Sequence, residues 1–280
     1  MNKIFVADKP IFISSNQYLS RIKRKYQTKK NGIKRVGFSG TLDPFAKGCL
    51  IIAFGQYTKL FDYLEKAPKT YRATIWLGTQ SSSLDIENIY SQENIPKLDI
   101  NEIKNTLDEL QKQKTITYLP PKYSAKKIDG KRAYTLARED IDFEMKKITT
   151  TIHDVSFINY CHPFITFDIT VSEGGYIRSL AQIICERLNV VGTLSFLDRL
   201  NEGRFKFDDE KPVQDITSYL NIPSNNYTGI KEYFELGKKL HIDYFENKSD
   251  GDYLIEFDEF FAIINITEEV ITYKLNKMIK

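Results

Sequence analysis

Apolar and polar residues follow two periodicities along most of the chain, a period of two and a period near four. Residues 70–77 place Tyr71, Ala73, Ile75 and Leu77 on one face, and this alternation predicts a half-buried strand. Short apolar runs and similar alternation predict further strands at residues 4–7, 49–54, 147–157 and 164–171.

Helical spacing recurs between these strands. Ser14 or Ser15 can cap a first helix with apolar residues near positions 18, 22 and 26, and Asp99 with Glu102 resembles a capping box. The predicted helices cover about residues 15–26, 58–66, 99–113 and 176–188. Long strands that look antiparallel, with helices between them, favour an α+β fold in which helices flank a mixed, mainly antiparallel central sheet.

The end of the chain has a different pattern. Residues 221–229 have the composition of a linker, and strand-like segments follow at 241–245, 252–257 and 260–266. We therefore predict one large domain over residues 1–220 and a small β-rich domain over residues 228–280, a division that suits a chain of 280 residues.

Composition narrows the class of protein. At 41% hydrophobic and 28% charged, the chain is typical of globular proteins, and no apolar run approaches the roughly 18 residues of a membrane span. The first ten residues lack the apolar core of a signal peptide. Cys49, Cys161 and Cys185 are odd in number and far apart, which predicts buried thiols in a reducing compartment. We expect a cytoplasmic protein without a membrane partner.

The net charge of +3 is unevenly divided. The last eighty residues hold ten basic and sixteen acidic side chains, so the first two hundred carry a net charge of +9. Residues 9–42 contain nine Lys or Arg and no acid, and residues 112–138 contain eight against Asp129 alone. Lysine-rich runs are also typical of solvated helix faces, but the asymmetry favours a polyanionic partner for the larger part of the chain.

Several chemistries have no support. The chain lacks the phosphate-binding GxxxxGK[ST] and GxGxxG patterns and the GxSxG nucleophile elbow. His153, His162 and His241 stand apart, without the spacing of a metal site. The remaining candidate is the loop at residues 37–48, GFSGTLDPFAKG, where Asp43 ends the acid-free basic stretch. An Asp-Pro pair is commonly a turn or a cap, but here it would be a lone carboxylate in a positive channel.

Four segments resemble the motifs of the TruB family of bacterial tRNA pseudouridine-55 synthases, in the family's order and spacing. They are GFSGTLDPFAKGCLIIAFGQYTKL, KTYRATIWLG, LPPKYSAKKIDGKRAYTLARE and VSEGGYIRSLAQIICERL. The resemblance covers about residues 3–205. It implies the pseudouridine synthase fold, an RNA-clamping insertion at about residues 117–145, and a small C-terminal domain like the PUA RNA-binding domain.

The resemblance also implies an activity. The enzyme would isomerise the T-loop uridine of tRNA, breaking the bond from N1 to C1′ and rejoining the sugar to C5. Asp43 matches the essential aspartate, a nucleophile or a base depending on the route. Tyr71 matches a tyrosine that stacks on the uracil and helps to remove the C5 proton, and Arg178 matches the arginine that pairs with the aspartate. In sequence alone, a core-facing tyrosine and an ordinary helix-start ion pair would look the same.

The resemblance implies that tRNA binds through its T-arm, that the target base is flipped out, and that no cofactor or metal is needed. We expect a monomer. The implied substrate-binding residues lie in the loop, the cleft and the insertion: Lys9, Phe38, Gly40, Thr41, Leu42, Asp85, Lys126, Lys131, Arg132, Tyr176 and Leu197.

Three features depart from the family pattern. Phe38 stands where histidine is usual, Asp85 is kept among altered neighbours, and the tail is short and acidic. A protein that binds or folds tRNA without chemistry and a guide-RNA-dependent relative are the alternatives. The intact set of Asp43, Tyr71 and Arg178 disfavours the first. The bacterial type of insertion and the lack of a basic tail disfavour the second.

Overall fold

The computed structural model describes residues 2–27, 33, 35–124, 126–128, 130–139 and 141–280. Lys29, Lys30 and Lys34 of the predicted basic stretch, and Asp129 of the second, lie outside these residues. The helices are α1 (Ser15–Tyr26), α2 (Ile100–Gln113), α3 (Ala133–Arg138), α4 (Ile177–Arg187) and α5 (Glu232–Leu236). The strands are β1 (Lys3–Lys9), β2 (Val36–Ser39), β3 (Lys47–Phe54), β4 (Lys69–Leu77), β5 (Thr79–Ser81), β6 (Ile89–Gln92), β7 (Thr115–Tyr118), β8 (Lys127–Ile128), β9 (Lys131–Arg132), β10 (Ile148–Cys161), β11 (Phe164–Val171), β12 (Gly192–Glu202), β13 (Gly251–Glu256), β14 (Phe260–Thr267) and β15 (Val270–Ile279).

The central sheet has the strand order β1-β3-β12-β4-β11-β10-β7, and β2 also pairs with β3. Its ladders between described residues are antiparallel, except for a parallel contact between β12 and β3. The predicted α+β class with a mixed, mainly antiparallel sheet is therefore confirmed.

The parallel contact is short. It joins only Asp198 with Lys47 and Arg199 with Gly48. Farther along β3, its residues Ile51–Phe54 pair with β2, while residues 48–54 pair with β1. The sheet thus consists of a β1-β2-β3 part and a β12-β4-β11-β10-β7 part that meet where β3 begins.

Helices and the tail cover the two faces of the sheet. α2 and α4 pack on β4, β11 and β12 in the largest core cluster, through residues such as Leu107 and Leu180. Because side chains alternate along a strand, β1 directs Phe5 and Ala7 towards α1 while Ile4 and Val6 face the opposite way. The second set packs against Leu254, Phe261 and other residues of the C-terminal strands.

The C-terminal strands β13-β14-β15 form a separate three-stranded antiparallel sheet. The predicted strands at 252–257 and 260–266 are confirmed, and the predicted strand at 241–245 is wrong. Residues Ile242–Tyr244 form a short 3₁₀ helix whose first turn is capped by the His241 side chain. The division of the chain into domains at residues 220 and 228 stays a prediction.

The predicted helix at 58–66 is also wrong. Residues Gly55–Lys59 form a 3₁₀ helix, and Tyr63 continues in turns. Leu64 then forms an isolated bridge with Leu220, and Glu65 N donates to Tyr219 O. The backbone contacts of residues 64 and 65 with residues 219 and 220 therefore determine the conformation here. The helical spacing of apolar residues in 58–66 does not.

Candidate active site

Asp43 lies in the loop that joins β2 to β3, and three contacts fasten this loop to its surroundings. Arg199 Nη2 donates to Gly40 O at 2.7 Å, and Phe12 N donates to Pro44 O at 2.7 Å. Between them, the Ser15 hydroxyl both accepts from Leu42 N and donates to Leu42 O, each at 3.0 Å. The backbone on both sides of Asp43 is therefore fixed before any substrate arrives.

Gly40 is required for this loop to close against β12. Its φ is +67°, and a Cβ atom placed there would lie 2.6 Å from Glu202 Oε2. Both the left-handed backbone and the lack of space exclude a larger residue. The glycine thus lets a buried carboxylate pack directly beneath the loop.

The Arg178 guanidinium connects α4 with three other segments. Nη2 lies 3.0 Å from Asp43 Oδ2 and donates to Tyr123 O at 2.7 Å. Nη1 lies 3.0 Å from Asp85 Oδ2 and donates to Ser83 O at 2.7 Å. The ion pair expected between Asp43 and Arg178 is therefore present, and the same side chain also holds the loop after β5 and the start of the insertion.

Asp85 is buried behind Arg178. Its Oδ1 accepts from Ser83 Oγ at 2.6 Å and from Glu87 N at 2.9 Å. Burial raises the pKa of Asp85, while the Arg178 charge and these two hydrogen bonds act in the opposite direction. Oδ2 is left to hold Arg178, so the carboxylate orients the guanidinium without lining the cleft that contains Tyr71.

Asp43 and Tyr71 open onto a cleft of about 300 Å³. Tyr71 lies on β4 and Leu197 on β12, and the loop and α4 supply the remaining walls. Predicted residues that line the cleft are Gly40, Thr41, Leu42, Asp43, Tyr71, Lys126, Tyr176, Arg178 and Leu197. The fold therefore brings residues that are 157 positions apart in sequence, from Gly40 to Leu197, around one space of nucleoside size.

The start of α4 is fixed by a hydroxyl relay. Tyr176 N donates to the Tyr118 hydroxyl at 2.9 Å, and that hydroxyl also bonds Thr150 Oγ1 at 2.8 Å. Tyr118 is buried, and burial raises its pKa. This relay supports the segment from which Arg178 reaches Asp43.

The cleft floor contains a buried ionic cluster that the sequence analysis missed. Glu202 is fully buried, with Oε2 at 3.0 Å from Lys69 Nζ and Oε1 at 2.6 Å from Arg199 Nη2. Lys69 and Arg199 both line the cleft. The sequence does contain a signal for Arg199. It follows Leu197 by two positions on one strand, so the two side chains face the same side of the sheet.

Lys9 is buried beneath the loop. Its ammonium donates to Ile13 O at 2.7 Å and to Pro10 O at 2.8 Å, and it lies 3.5 Å from Pro44 O. Burial lowers the pKa of Lys9 to about 8, against the opposing effect of the Asp43 charge. The structure thus places Lys9 against loop carbonyls and not in the cleft.

Three further residues predicted to bind the substrate do not line the cleft. Phe38 is half-buried on β2 and packs against the cluster that includes Phe5 and Leu50. Lys131 and Arg132 lie exposed on β9, which pairs with β8 in a hairpin of the insertion. Their part in substrate binding stays a prediction.

A second cavity of about 280 Å³ lies on the other side of the Asp43–Arg178 pair. Asp85, Tyr123, Tyr134 and Arg138 are among its lining residues. The Asp43 loop and the insertion therefore form walls of two adjoining cavities, and the Asp43–Arg178 ion pair lies between these cavities.

The prediction for the three cysteines can be compared with the structure. Cys49 and Cys185 are buried, but Cys161 is exposed at the end of β10, so the prediction of three buried thiols is wrong for Cys161.

Within the described part of the chain, no group of three or more His, Cys, Asp or Glu side chains is arranged to hold a metal ion. No helix there is both long and apolar enough to cross a membrane.

Solved structures share this architecture. A chain in the crystal structure of a Cbf5-Nop10-Gar1 complex superposes with a TM-score of 0.66 at 18% identity, covering 99% of this chain and 84% of the other. The archaeal box H/ACA sRNP Nop10-Cbf5 complex gives a TM-score of 0.64 at 16% identity, covering 99% of this chain and 85% of the other. The chain therefore has the fold of the Cbf5 pseudouridine synthases.

Sequence comparison is more specific. The profile of the TruB family pseudouridylate synthase N-terminal domain matches residues 23–177. Proteins named tRNA pseudouridine synthase B are 54% identical in Sulfurovum sp. (strain NBC37-1), over 100% of this chain and 98% of the other, and 47% identical in Campylobacter concisus (strain 13826), over 100% of both. The chain belongs to the TruB family of pseudouridylate synthases, which are isomerases.

Proposed function

We propose that this protein is a tRNA pseudouridine synthase that acts on the T-loop uridine corresponding to position 55. The observation that carries the proposal is the exposed face of Asp43, held by Arg178 in a cleft that also contains the ring of Tyr71. The full-length similarity to proteins named tRNA pseudouridine synthase B supports tRNA as the substrate.

The reaction is an isomerisation. The bond from N1 to C1′ of uridine breaks, the uracil turns, and a bond from C5 to C1′ forms while C5 loses its proton and N1 gains one. No atom is added or removed, and no oxidant, reductant or group donor is consumed. The Asp43 carboxylate acts as the nucleophile or base, and its side chain, 34% exposed, faces the space where a sugar would lie.

Arg178 has a supporting part in this reaction. Its guanidinium orients the Asp43 carboxylate through a charge-assisted contact of 3.0 Å between Nη2 and Oδ2. The guanidinium is itself 3% exposed and is fixed from behind by Asp85. Asp43 therefore enters the reaction already positioned, with little reorganisation needed.

Tyr71 would receive the uracil. It is buried on β4 with its ring at the cleft, where an aromatic face can stack on a flipped-out base. Its phenol oxygen is the group we assign to removal of the C5 proton. Leu197 and Tyr176 complete the walls around the base.

The path of the RNA follows the positive part of the chain. Lys126 lines the cleft, and Lys131 and Arg132 extend the insertion away from it. Contacts to phosphates offset the cost of unstacking the target base, and they make affinity steeply dependent on salt. We further propose a cytoplasmic, monomeric enzyme that needs no cofactor, with a catalytic domain at 1–220 and a PUA-like domain at 228–280.

The test uses T-arm RNA with tritium at uridine C5, incubated with the protein in EDTA. We expect tritium release that requires the T-loop uridine and is lost when cytidine replaces it. Asp43→Asn keeps the shape of the side chain, so it should still bind the RNA while releasing no tritium.

Two results would contradict the proposal. Binding of the RNA without tritium release by the unaltered protein would favour an RNA-binding or RNA-folding protein without chemistry. An Asp43→Asn protein that kept its rate would remove the assignment of the catalytic carboxylate.

A further inference from the structure

Phe12 has an unusual combination of backbone and exposure. Its φ is +60°, in the left-handed region that favours glycine, and 71% of the residue is exposed to solvent. Among the large hydrophobic residues in the described part of the chain, none is more exposed. Phe12 therefore gains little from core packing and occupies a backbone conformation that a phenylalanine disfavours.

The position of Phe12 is tied to the active site. Phe12 N donates to the carbonyl of Pro44, the residue after Asp43. The Ile13 carbonyl next to it accepts from Lys9. The segment that presents the phenyl ring is thus hydrogen-bonded directly to the loop that carries Asp43.

The surroundings of Phe12 are positively charged. A surface cavity of about 320 Å³ is lined by Phe12, Ile13, Gln17, Ser20, Arg21 and Arg24. Arg21 and Arg24 are exposed on α1, and neither forms an ion pair with a carboxylate of any described residue. An aromatic face beside unpaired guanidinium groups matches the chemistry of a nucleotide, which has a flat base and an anionic phosphate.

We propose that Phe12 is a stacking platform for a second nucleobase of the substrate RNA, one that lies outside the catalytic cleft, and that Arg21 and Arg24 bind the adjoining phosphates. The inference rests on the proposed function, because the ligand is the same RNA. It adds a subsite that positions the RNA through the loop segment bonded to Pro44.

Steady-state tritium release tests the platform. Stacking of one base on one aromatic ring contributes about 5- to 140-fold in affinity. We expect Phe12→Gly to raise the KM for the T-arm RNA by at least about 5-fold with kcat unchanged, and Phe12→Trp to keep the KM of the unaltered protein. Because glycine suits a φ of +60°, Phe12→Gly should unfold at the same or a higher temperature, which separates loss of the ring from loss of the fold.

A matched control removes another exposed aromatic ring. Phe164 lies at the start of β11 beside Trp76, whereas Tyr71 pairs with Ile169 five residues later. Phe164→Leu should leave KM and kcat unchanged. A Phe12→Gly protein whose KM equals that of the unaltered protein would overturn the inference.

Fluorescence gives a second readout. T-arm RNAs carrying 2-aminopurine at single loop positions should include one, outside the target uridine, whose fluorescence is quenched by the unaltered protein and by Phe12→Trp but not by Phe12→Gly. Equal quenching by the unaltered protein and Phe12→Gly at every position would overturn the inference.

The salt dependence of RNA affinity tests whether Arg21 and Arg24 bind phosphates. Each phosphate contact contributes about 0.7 to 0.9 to the slope of log affinity against log salt. Arg21→Gln and Arg24→Gln should each reduce that slope by about this amount, and an unchanged slope in both would remove the arginines from the subsite. Absence of tritium release by the unaltered protein would instead contradict the proposed function, so the two failures are distinguishable.

Discussion

Arg178 and Asp85 form a buried ion pair in which 3.0 Å separates Nη1 from Oδ2. Asp85 is 4% exposed at its side chain, while Asp43, on the other nitrogen of the same guanidinium, is 34% exposed. The guanidinium thus has one anchored side and one side that opens to the cleft. The orientation of Asp43 depends on a carboxylate that does not line the cleft onto which Asp43 and Tyr71 open.

Asp85→Asn should lower kcat by about 10-fold or more and leave the KM for RNA nearly unchanged. The amide retains the size of the side chain but loses a charge-assisted hydrogen bond, which contributes roughly 1.5–3 kcal/mol. Steady-state tritium-release kinetics would measure the change, since a less firmly held Arg178 no longer fixes the orientation of the Asp43 carboxylate. Asp168→Asn, which breaks the exposed pair with Arg72 on the same sheet, is the matched control and should have little effect.

Tyr71→Phe should separate stacking from proton transfer. The ring remains, so KM should stay close to that of the unaltered protein, while kcat should fall by about 10²- to 10⁴-fold, the usual contribution of a general acid or base. Tyr71→Leu should in addition raise KM, because the stacking surface is lost. An increase in KM with unchanged kcat for Tyr71→Phe would contradict the assignment of the phenol.

Gly40→Ala should destabilise the fold and the loop together. The added Cβ would meet the Glu202 carboxylate, which is already confined between Lys69 and Arg199. Gly130→Ala is a suitable control, because Gly130 also has a positive φ, +83°, but no atom lies within 4 Å of its added Cβ. Urea unfolding should show a larger loss of stability for Gly40→Ala, and a smaller loss than for Gly130→Ala would contradict the clash.

The burial of Lys9 should make the stability of the fold depend on pH. Its folded pKa of about 8 is below the ordinary value of 10.5, so between these values the unfolded chain binds a proton that the folded chain has released. The free energy of unfolding should therefore rise with pH across this window, by at most about 1.4 kcal/mol per pH unit. Lys9→Met should remove this part of the slope, measured by denaturant unfolding at pH 8 and 10.

The control for Lys9 is an exposed lysine. Lys239→Met should leave the slope as it is in the unaltered protein, because the Lys239 side chain is in solvent. If Lys9→Met and the unaltered protein had the same slope, the effect of burial on the Lys9 ammonium would be excluded.

Local patterns predicted the elements whose own residues determine them. β4 alternates strictly, and α2 follows Asp99, whose side chain caps the helix by accepting from Asn101 N. The helix predicted at 58–66 failed because Leu64 and Glu65 bond to residues more than 150 positions later, information that no window of sequence contains.

The same distinction applies to the residues of the site. A residue is predictable where its neighbours in sequence mark it, and not where only the folded sheet supplies its partners. Asp43 stands out in sequence as a lone acid at the end of a basic stretch. Glu202 does not, since its partners Lys69 and Arg199 come from two strands that only the folded sheet brings together. Phe38 matches a motif position, yet its strand directs it towards the cluster beside α1. The burial of Lys9 likewise results from the loop that folds over it.

The short parallel contact at Gly48 divides the reaction centre between two parts of the sheet. Asp43 precedes β3 on one side, and Tyr71 and Arg178 belong to the other side. Lys47 bonds across to Asp198, and Arg199 Nε donates to Cys49 O at 2.8 Å. A Cβ at Gly48 would lie 2.3 Å from Arg199 O. The spacing between Asp43 and Tyr71 is therefore set by a backbone-to-backbone approach a few ångströms wide, a mechanical coupling through which a larger residue at position 48 would shift the two side chains relative to each other.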